Sequence, residues 1–356
     1  MIIKNAKIYT PRHTFEEGDL FIRDGRIVPF AQPEEGEEVV DAVGAYALPG
    51  LVDIHFHGAM GKDFCDGSEE AIQTLADFEA SKGVLAICPA TMTFSEEILN
   101  NVMDAAAAHK NGKGADLVGI NMEGPFISPK KVGATTIRII ADGADEQAAV
   151  DGLIKLVDVA PEEPGALDFI KECHEEVRIS IAHTCTSYDT ALAAFDAGAT
   201  HMTHLYNAMP GITHREPGPI IAALERGAEV ELITDHVHIH PAMVRFTFNT
   251  FGDDHVILIA DSMMACGLPD GQYSLGGLRL RPSCYPDRTT RHHRRKRHLP
   301  VRLHEARRAG NGRPAGKRCP RRQRKPRQEH WHRQRLRQLE RRTVRQCDSG
   351  GRSAQH

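Results

Sequence analysis

The eight cysteines of this 356-residue chain form no C-x-x-C pair, and no apolar run reaches the length of a membrane span. The first ten residues, MIIKNAKIYT, hold no long apolar stretch of the kind that marks a secretory signal. The first absence leaves the cysteines as reduced thiols, the second excludes a spanning helix, and the third argues against secretion. Together they predict a cytoplasmic protein without a membrane partner.

Acidic residues are scarce in one part of the chain and abundant in the other. From Arg279 to His356 there are 26 Lys+Arg against 5 Asp+Glu, while the first 278 residues carry 18 basic and 43 acidic side chains. The net charge of −4 therefore hides an acidic body and a basic tail. The tail, with stretches such as RHHRRKRHLP and RRQRKPRQEH, has few apolar residues and no helical or strand period. Such a composition builds no core, and residues 279–356 are expected to be disordered and dispensable to the fold. A basic arm of this kind suits nucleic acid. The change is abrupt, however: DGQYSLGGL reads as a hairpin and nothing after it is patterned. A reading-frame shift near position 279 explains that better, so no specific nucleic-acid partner is expected.

The body is well patterned. Its length suits one large α/β domain and a small one, and with 41% hydrophobic residues in the chain a sizeable core is possible. Residues 1–48 read as short strands, with Asp24-Gly25 between two apolar runs as a hairpin signal, and are assigned to part of a small β-sandwich. Residues 49–278 contain eight apolar, β-rich runs, at 51–57, 84–92, 116–126, 152–162, 178–184, 199–209, 229–239 and 255–265. Helical segments such as SEEAIQTLADFEASKG, SEEILNNVMDAAAAHK and SYDTALAAFDAG lie between most of them; the first two open on a Ser-x-Glu start, and the first and last close on Gly. Strands alternating with helices imply a parallel sheet, and eight of them imply a (β/α)₈ TIM barrel.

In such a barrel the chemistry sits at the C-terminal ends of the strands. Those ends carry His55 and His57, Glu123, His183, His204, Asp235 with His236 and His238, and Asp261. Alternate residues of a strand share a face, so His55 and His57 in LPGLVDIHFHGAMG point the same way and can grip one cation. An isolated H-x-H is as readily a solvated pair, but metal-binding residue types at the same end of six strands are hard to attribute to chance. Glu123, His183 and His204 make a catalytic-metal set of two imidazoles and a carboxylate that leaves room for water. Asp261, ending the eighth strand in IADS, is placed to take a proton from that water and give it to a leaving amine.

The motifs PGLVDIHFHG, NMEGPFISPKKVGA, AHTCTSYDTALAAFDAGATHMTHLYNAMPGITHREPG, DHVHIHP and ADSMMACGLPDGQY occur in order. They resemble the N-acetylglucosamine-6-phosphate deacetylase family of the amidohydrolase superfamily, over about residues 1–278. The resemblance implies the metal ligands Glu123, His183 and His204, with His55 and His57 for a second ion. It implies one or two divalent ions, zinc first and iron next, and Asp261 as the catalytic acid–base. It assigns the phosphate of a sugar-phosphate substrate to Arg215 and His238, both supplied by the neighbouring subunit of a homodimer, and further substrate contacts to Ala134, Asn207 and Ala208. The implied reaction is hydrolysis of N-acetylglucosamine 6-phosphate to glucosamine 6-phosphate and acetate. The run TTIRIIADGADEQAAVDG departs from the family, and the tail lacks its last barrel helix and closing strands. Two rivals follow: an inactive truncated member, or another amidohydrolase acting on a cyclic or linear amide. A cyclic amidase would use a carboxylated lysine on the fourth strand, where Lys155 lies mid-run; Glu123 offers the acidic ligand instead and favours the deacetylase.

Overall fold

The computed structural model describes residues 1–124, 126–128, 152–269, 271–275 and 278–279. Ala134, the divergent run 135–151 and the basic tail beyond Arg279 lie outside them.

Residues 1–48 hold one five-stranded sheet, with Arg26–Val28, Phe15–Arg23, Ile2–Tyr9 and Val39–Asp41 side by side and Tyr46–Ala47 also paired to Ile2–Tyr9. The hairpin expected at Asp24-Gly25 is present: Arg23 pairs with Arg26, and both turn residues have positive φ, 49° and 71°. A two-residue turn of that hand matches the strand twist, which is why an Asp-Gly pair favours it. On this sheet Ile2 and Ala6 are buried, and Ile27, Val39, Val40 and Tyr46 are exposed.

The eight apolar runs of the body all contribute parallel strands. Barrel strand one is Leu51–Asp53, strand two Val84–Ile87, and strand three is split into Asp116–Leu117 and Ile120–Glu123. Strands four to eight are Ile154–Val159, Arg178–Ile181, His201–Met202, Glu229–Ile233 and Val256–Ile259. Strands three to eight are hydrogen-bonded in sequence, and strand one pairs with strand two. The bridge Ala90–Asn121 joins strand two to strand three. The curl is closed at its C-terminal end by backbone bonds from the turn after strand eight to the extension of strand one: Asp261 N–H donates to His55 O at 2.8 Å and His57 N–H to Ser262 O at 2.8 Å.

The split in strand three was not foreseen. A Cβ on Gly119 would fall 2.2 Å from Lys155 Cγ, so only glycine lets strand four approach there. The hydrogen bonds change partner at the same place: Val118 N–H reaches Ile87 O on strand two, and Ile120 N–H reaches Leu153 O.

Helices cover the sheet, and their ends follow the sequence signals. Ser68 caps Glu69–Ala80 by accepting from Ala71 N–H, Ser187 caps Tyr188–Ala197 by accepting from Thr190 N–H, and Gly198 closes the latter. Ser95 caps Glu96–Ala108 without a side-chain bond. The buried core joins Phe56, Ile87, Ile120, Ile179, Ile181 and Met202 from the strands to Ile72, Leu75 and Ile170 from the helices. No helix among the described residues is long and apolar enough to cross a membrane.

Glu79, on the first helix, is buried at 1% exposure with Oε2 lacking a hydrogen-bond partner. Burial, helped by nearby Asp53, pushes its carboxyl up from 4.5 to about 8. The native state therefore keeps this proton to a higher pH than the unfolded chain, and stability falls as pH rises from 4.5 towards 8. Glu79→Gln is expected to raise the melting temperature at pH 8 and to make little difference near pH 4.5. Thermal melts at both pH values check this, and an equal change at the two would refute the ionisation argument.

Candidate metal centre

Strand one delivers its histidines through an extended segment. Ala90 N–H donates to Phe56 O, and His57 N–H to Ser262 O, so the backbone stays tied to both neighbours past Asp53. Alternation then sends Phe56 into the apolar core at 0% exposure and puts His55 and His57 together, with ring centroids 5.5 Å apart.

Glu123 is the last residue of strand three, and Gly124 turns the chain immediately after it at φ 115°. A Cβ at Gly124 would lie 2.4 Å from Thr93 Oγ1, a hydroxyl that donates to Glu123 O at 2.9 Å. His183, His204 and Asp261 stand two residues past the ends of strands five, six and eight, and all three have positive φ, 42°, 30° and 45°. Non-glycine residues in that region carry about 1–3 kcal/mol of strain each and cluster where side chains must be aimed.

The aimed side chains meet. His183 Nε2 contacts Glu123 Oε1, and His204 Nε2 lies 3.8 Å from the same oxygen. The two imidazole Nε2 atoms are 3.0 Å apart. His57 Nε2 is 3.5 Å from Glu123 Oε2 and 3.7 Å from Asp261 Oδ1. Two triplets have donor atoms within 4.8 Å of one another, as an ion requires: His55, His57 and Asp261, and His55, Glu123 and His204. All of these side chains are buried.

Electrostatics fit a cation. Burial alone would raise the Glu123 carboxyl, but His183, His204 and His57 outweigh it and hold Glu123 well below the usual carboxylate range. Burial lowers His204, keeping it a neutral donor. His55 Nε2 is buried and has no hydrogen-bond partner among the described residues. An orphaned imidazole nitrogen facing imidazoles and carboxylates suits a divalent ion of borderline softness.

The six inward residues expected from the sequence are thus brought together from five strands. The expected substrate residues are more dispersed. Asn207 lies in the turn after His204 and donates through Nδ2 to His204 O at 3.2 Å. Ala208, at φ 51°, accepts from Thr184 N–H at 3.0 Å, tying that turn to the one after His183. Arg215 is exposed on the loop before helix Gly218–Arg226. His238 is partly buried, with Nδ1 2.8 Å from Asp235 Oδ2. Lys155, the ligand a cyclic amidase would need, is exposed on strand four, with buried neighbours on either side.

Sequence reasoning passed over Glu231, Asn121 and Asp158, which are fully buried around the cluster. Burial pushes Asp158 up to about 8, although His55 opposes the shift. Glu231 had one visible signal, an acid flanked by Val230 and Leu232 in the strand EVELI, where it alternates with Glu229.

The amidohydrolase family model matches residues 46–271. An N-acetylglucosamine-6-phosphate deacetylase of Bacillus subtilis (strain 168) is 37% identical over 293 residues, covering 78% of this chain and 74% of the relative. An N-acetylgalactosamine-6-phosphate deacetylase of Escherichia coli O157:H7 is 32% identical over 292 residues, covering 78% of this chain and 75% of that one. A solved structure of a Mycobacterium smegmatis N-acetyl-D-glucosamine-6-phosphate deacetylase mutant, in complex with N-acetyl-D-glucosamine-6-phosphate, is similar at a TM-score of 0.70 and 32% identity, over 78% of this chain and 75% of that chain.

Proposed function

The chain belongs to the amidohydrolase family, among its N-acetylglucosamine-6-phosphate deacetylases, and we propose that it hydrolyses the N-acetyl group of N-acetylglucosamine 6-phosphate to glucosamine 6-phosphate and acetate. The observation that carries the reading is the convergence of His55, His57, Glu123, His183, His204 and Asp261 at one end of the barrel.

Glu123, His183 and His204 would hold one divalent ion, and His55 with His57 a second. Zinc is the first choice for this donor set and iron the next. Such an ion supplies a Lewis acid for the amide carbonyl and a water acidic enough to attack at neutral pH. Asp261 takes the proton of the attacking water and returns it to the amine nitrogen as the carbon–nitrogen bond breaks. Its place beside His57 Nε2, at 3.7 Å, supports that role. Asn207 and the backbone of Ala208 orient the sugar, and Ala134, outside the described residues, would add a further substrate contact. Arg215 and His238, reaching over from the partner in a homodimer, pair with the phosphate through charge-assisted bonds.

The zinc-loaded full chain is expected to release acetate from N-acetylglucosamine 6-phosphate, and to do so faster than from the galacto epimer. Removing the 6-phosphate from the substrate should cost on the order of 100-fold in kcat/KM, since hydrogen bonds to a charged group contribute about 1.5–3 kcal/mol each. Acetate release and free-amine formation measure this. A metal-loaded protein inactive on both phosphorylated sugars would overturn the reading, and preference for the galacto epimer would move the substrate.

A further inference from the structure

Glu231 sits in the middle of strand seven at 0% exposure. A carboxylate so deeply buried costs several kcal/mol unless its oxygens are well paired. Its partners are specific. His55 Nδ1 lies 3.0 Å from Oε2, and His204 backbone N–H donates to the same oxygen at 3.1 Å. His201 Nε2 is 3.8 Å from Oε1. One carboxylate thus holds two residues of the cluster, from strand one and from the end of strand six.

The pairing decides which nitrogen of His55 carries the proton. An ionised carboxylate only accepts, so the ring nitrogen beside it must be N–H. Asn121 Nδ2 also approaches Nδ1, at 3.3 Å, but that amide donates to Ile54 O at 3.1 Å and needs no acceptor from the ring. In the neutral ring that binds a metal, a proton on Nδ1 leaves the lone pair of His55 on Nε2, the buried atom that has no partner among the described residues. His55 belongs to both triplets able to hold an ion. At His204 the bond acts on the backbone. It ties down a residue at φ 30°, which would otherwise relax from the strained region and carry its Nε2 away from Glu123 and His183.

We propose that Glu231 is a positioning residue that fixes the Nδ1–H tautomer of His55 and pins the backbone of His204, so that metal affinity depends on a carboxylate outside the ligand set. The proposal rests on the metal-site reading above. It follows a general rule: a ligand histidine donates its other N–H to a second group, and loss of that group weakens metal binding about 10–100-fold. Glu231 differs from the simple case because a single oxygen serves one ligand through its ring and another through its main chain.

The test uses the full chain, with zinc affinity read by competition with a chelating dye. Glu231→Gln keeps an oxygen where Oε2 stands and loses the charge; Glu231→Met removes the acceptor. The expected order is wild type tightest, Gln weaker by a few-fold, Met weaker by about 10–100-fold. A residue that merely fills the strand would leave affinity unchanged in any variant that folds, so a folded Met variant within twofold of wild type overturns the proposal. Should the Met variant not fold, nitrogen NMR of ¹⁵N-histidine-labelled wild type decides, with the His55 signals assigned by their loss in His55→Gln. A proton on Nδ1 supports the proposal, and a bare Nδ1 with the ring's one proton on Nε2 overturns it. Wild type that takes up no zinc would be a different failure, removing the metal-site reading and this inference with it.

Discussion

Asp261→Asn is expected to lower kcat by about 10²–10⁴, the range that a positioned general acid–base contributes, with little change in the zinc held by Glu123, His183 and His204. The amide of asparagine fills the same space after strand eight, and the backbone bond from residue 261 to His55 O does not involve the side chain. What disappears is the group that accepts the water proton and hands it to the amine. Asp261 also stands in a triplet with His55 and His57, so a second ion would be held less tightly. Metal content per chain and acetate release, measured on the same preparation, separate the two effects. Turnover within tenfold of wild type would assign the proton to another residue.

Glu123→Gln should cost more metal than any other single change. Glu123 is in contact with His57, His183 and His204 together. Its charge offsets the cation, and a neutral amide cannot. Groups outside the ligand set are already worth about 10–100-fold in metal affinity, so the loss here should be at least about 100-fold, with deacetylase activity falling in parallel. Elemental analysis after dialysis against a weak chelator measures it. A Glu123→Gln, His183→Asn double variant that still carried a full complement of metal would show that these residues are not the ligands.

Much of the molecule was legible in the order of residues. Period-two alternation put His55 and His57 on one face and Phe56 on the other, because neighbouring side chains of a strand cannot share a side. Asp24-Gly25 fixed a hairpin through its tolerance of positive φ, and Ser68 marked a helix start by supplying the acceptor that a first turn needs. The same logic failed at Gly119. Its role comes from the approach of Lys155, a neighbour on another strand, and no local pattern carries that information.

The sequence by itself determined which residues stand at the C-terminal ends of the strands, since apolar periodicity and the turns that stop it are local properties. Only the closed sheet decided which of those ends face one another. His55 and Glu231 are 176 positions apart, yet their side chains are 3.0 Å apart inside the barrel, and His57 meets Asp261 because backbone bonds tie the extension of strand one to the turn after strand eight. Glu231, which alternates with Glu229 in EVELI, reads locally as a solvated side chain. It becomes a buried partner of two cluster residues only when strands one, six and seven curl around a common axis, because a strand's own pattern gives the face of each side chain and the tertiary fold alone supplies what that face meets.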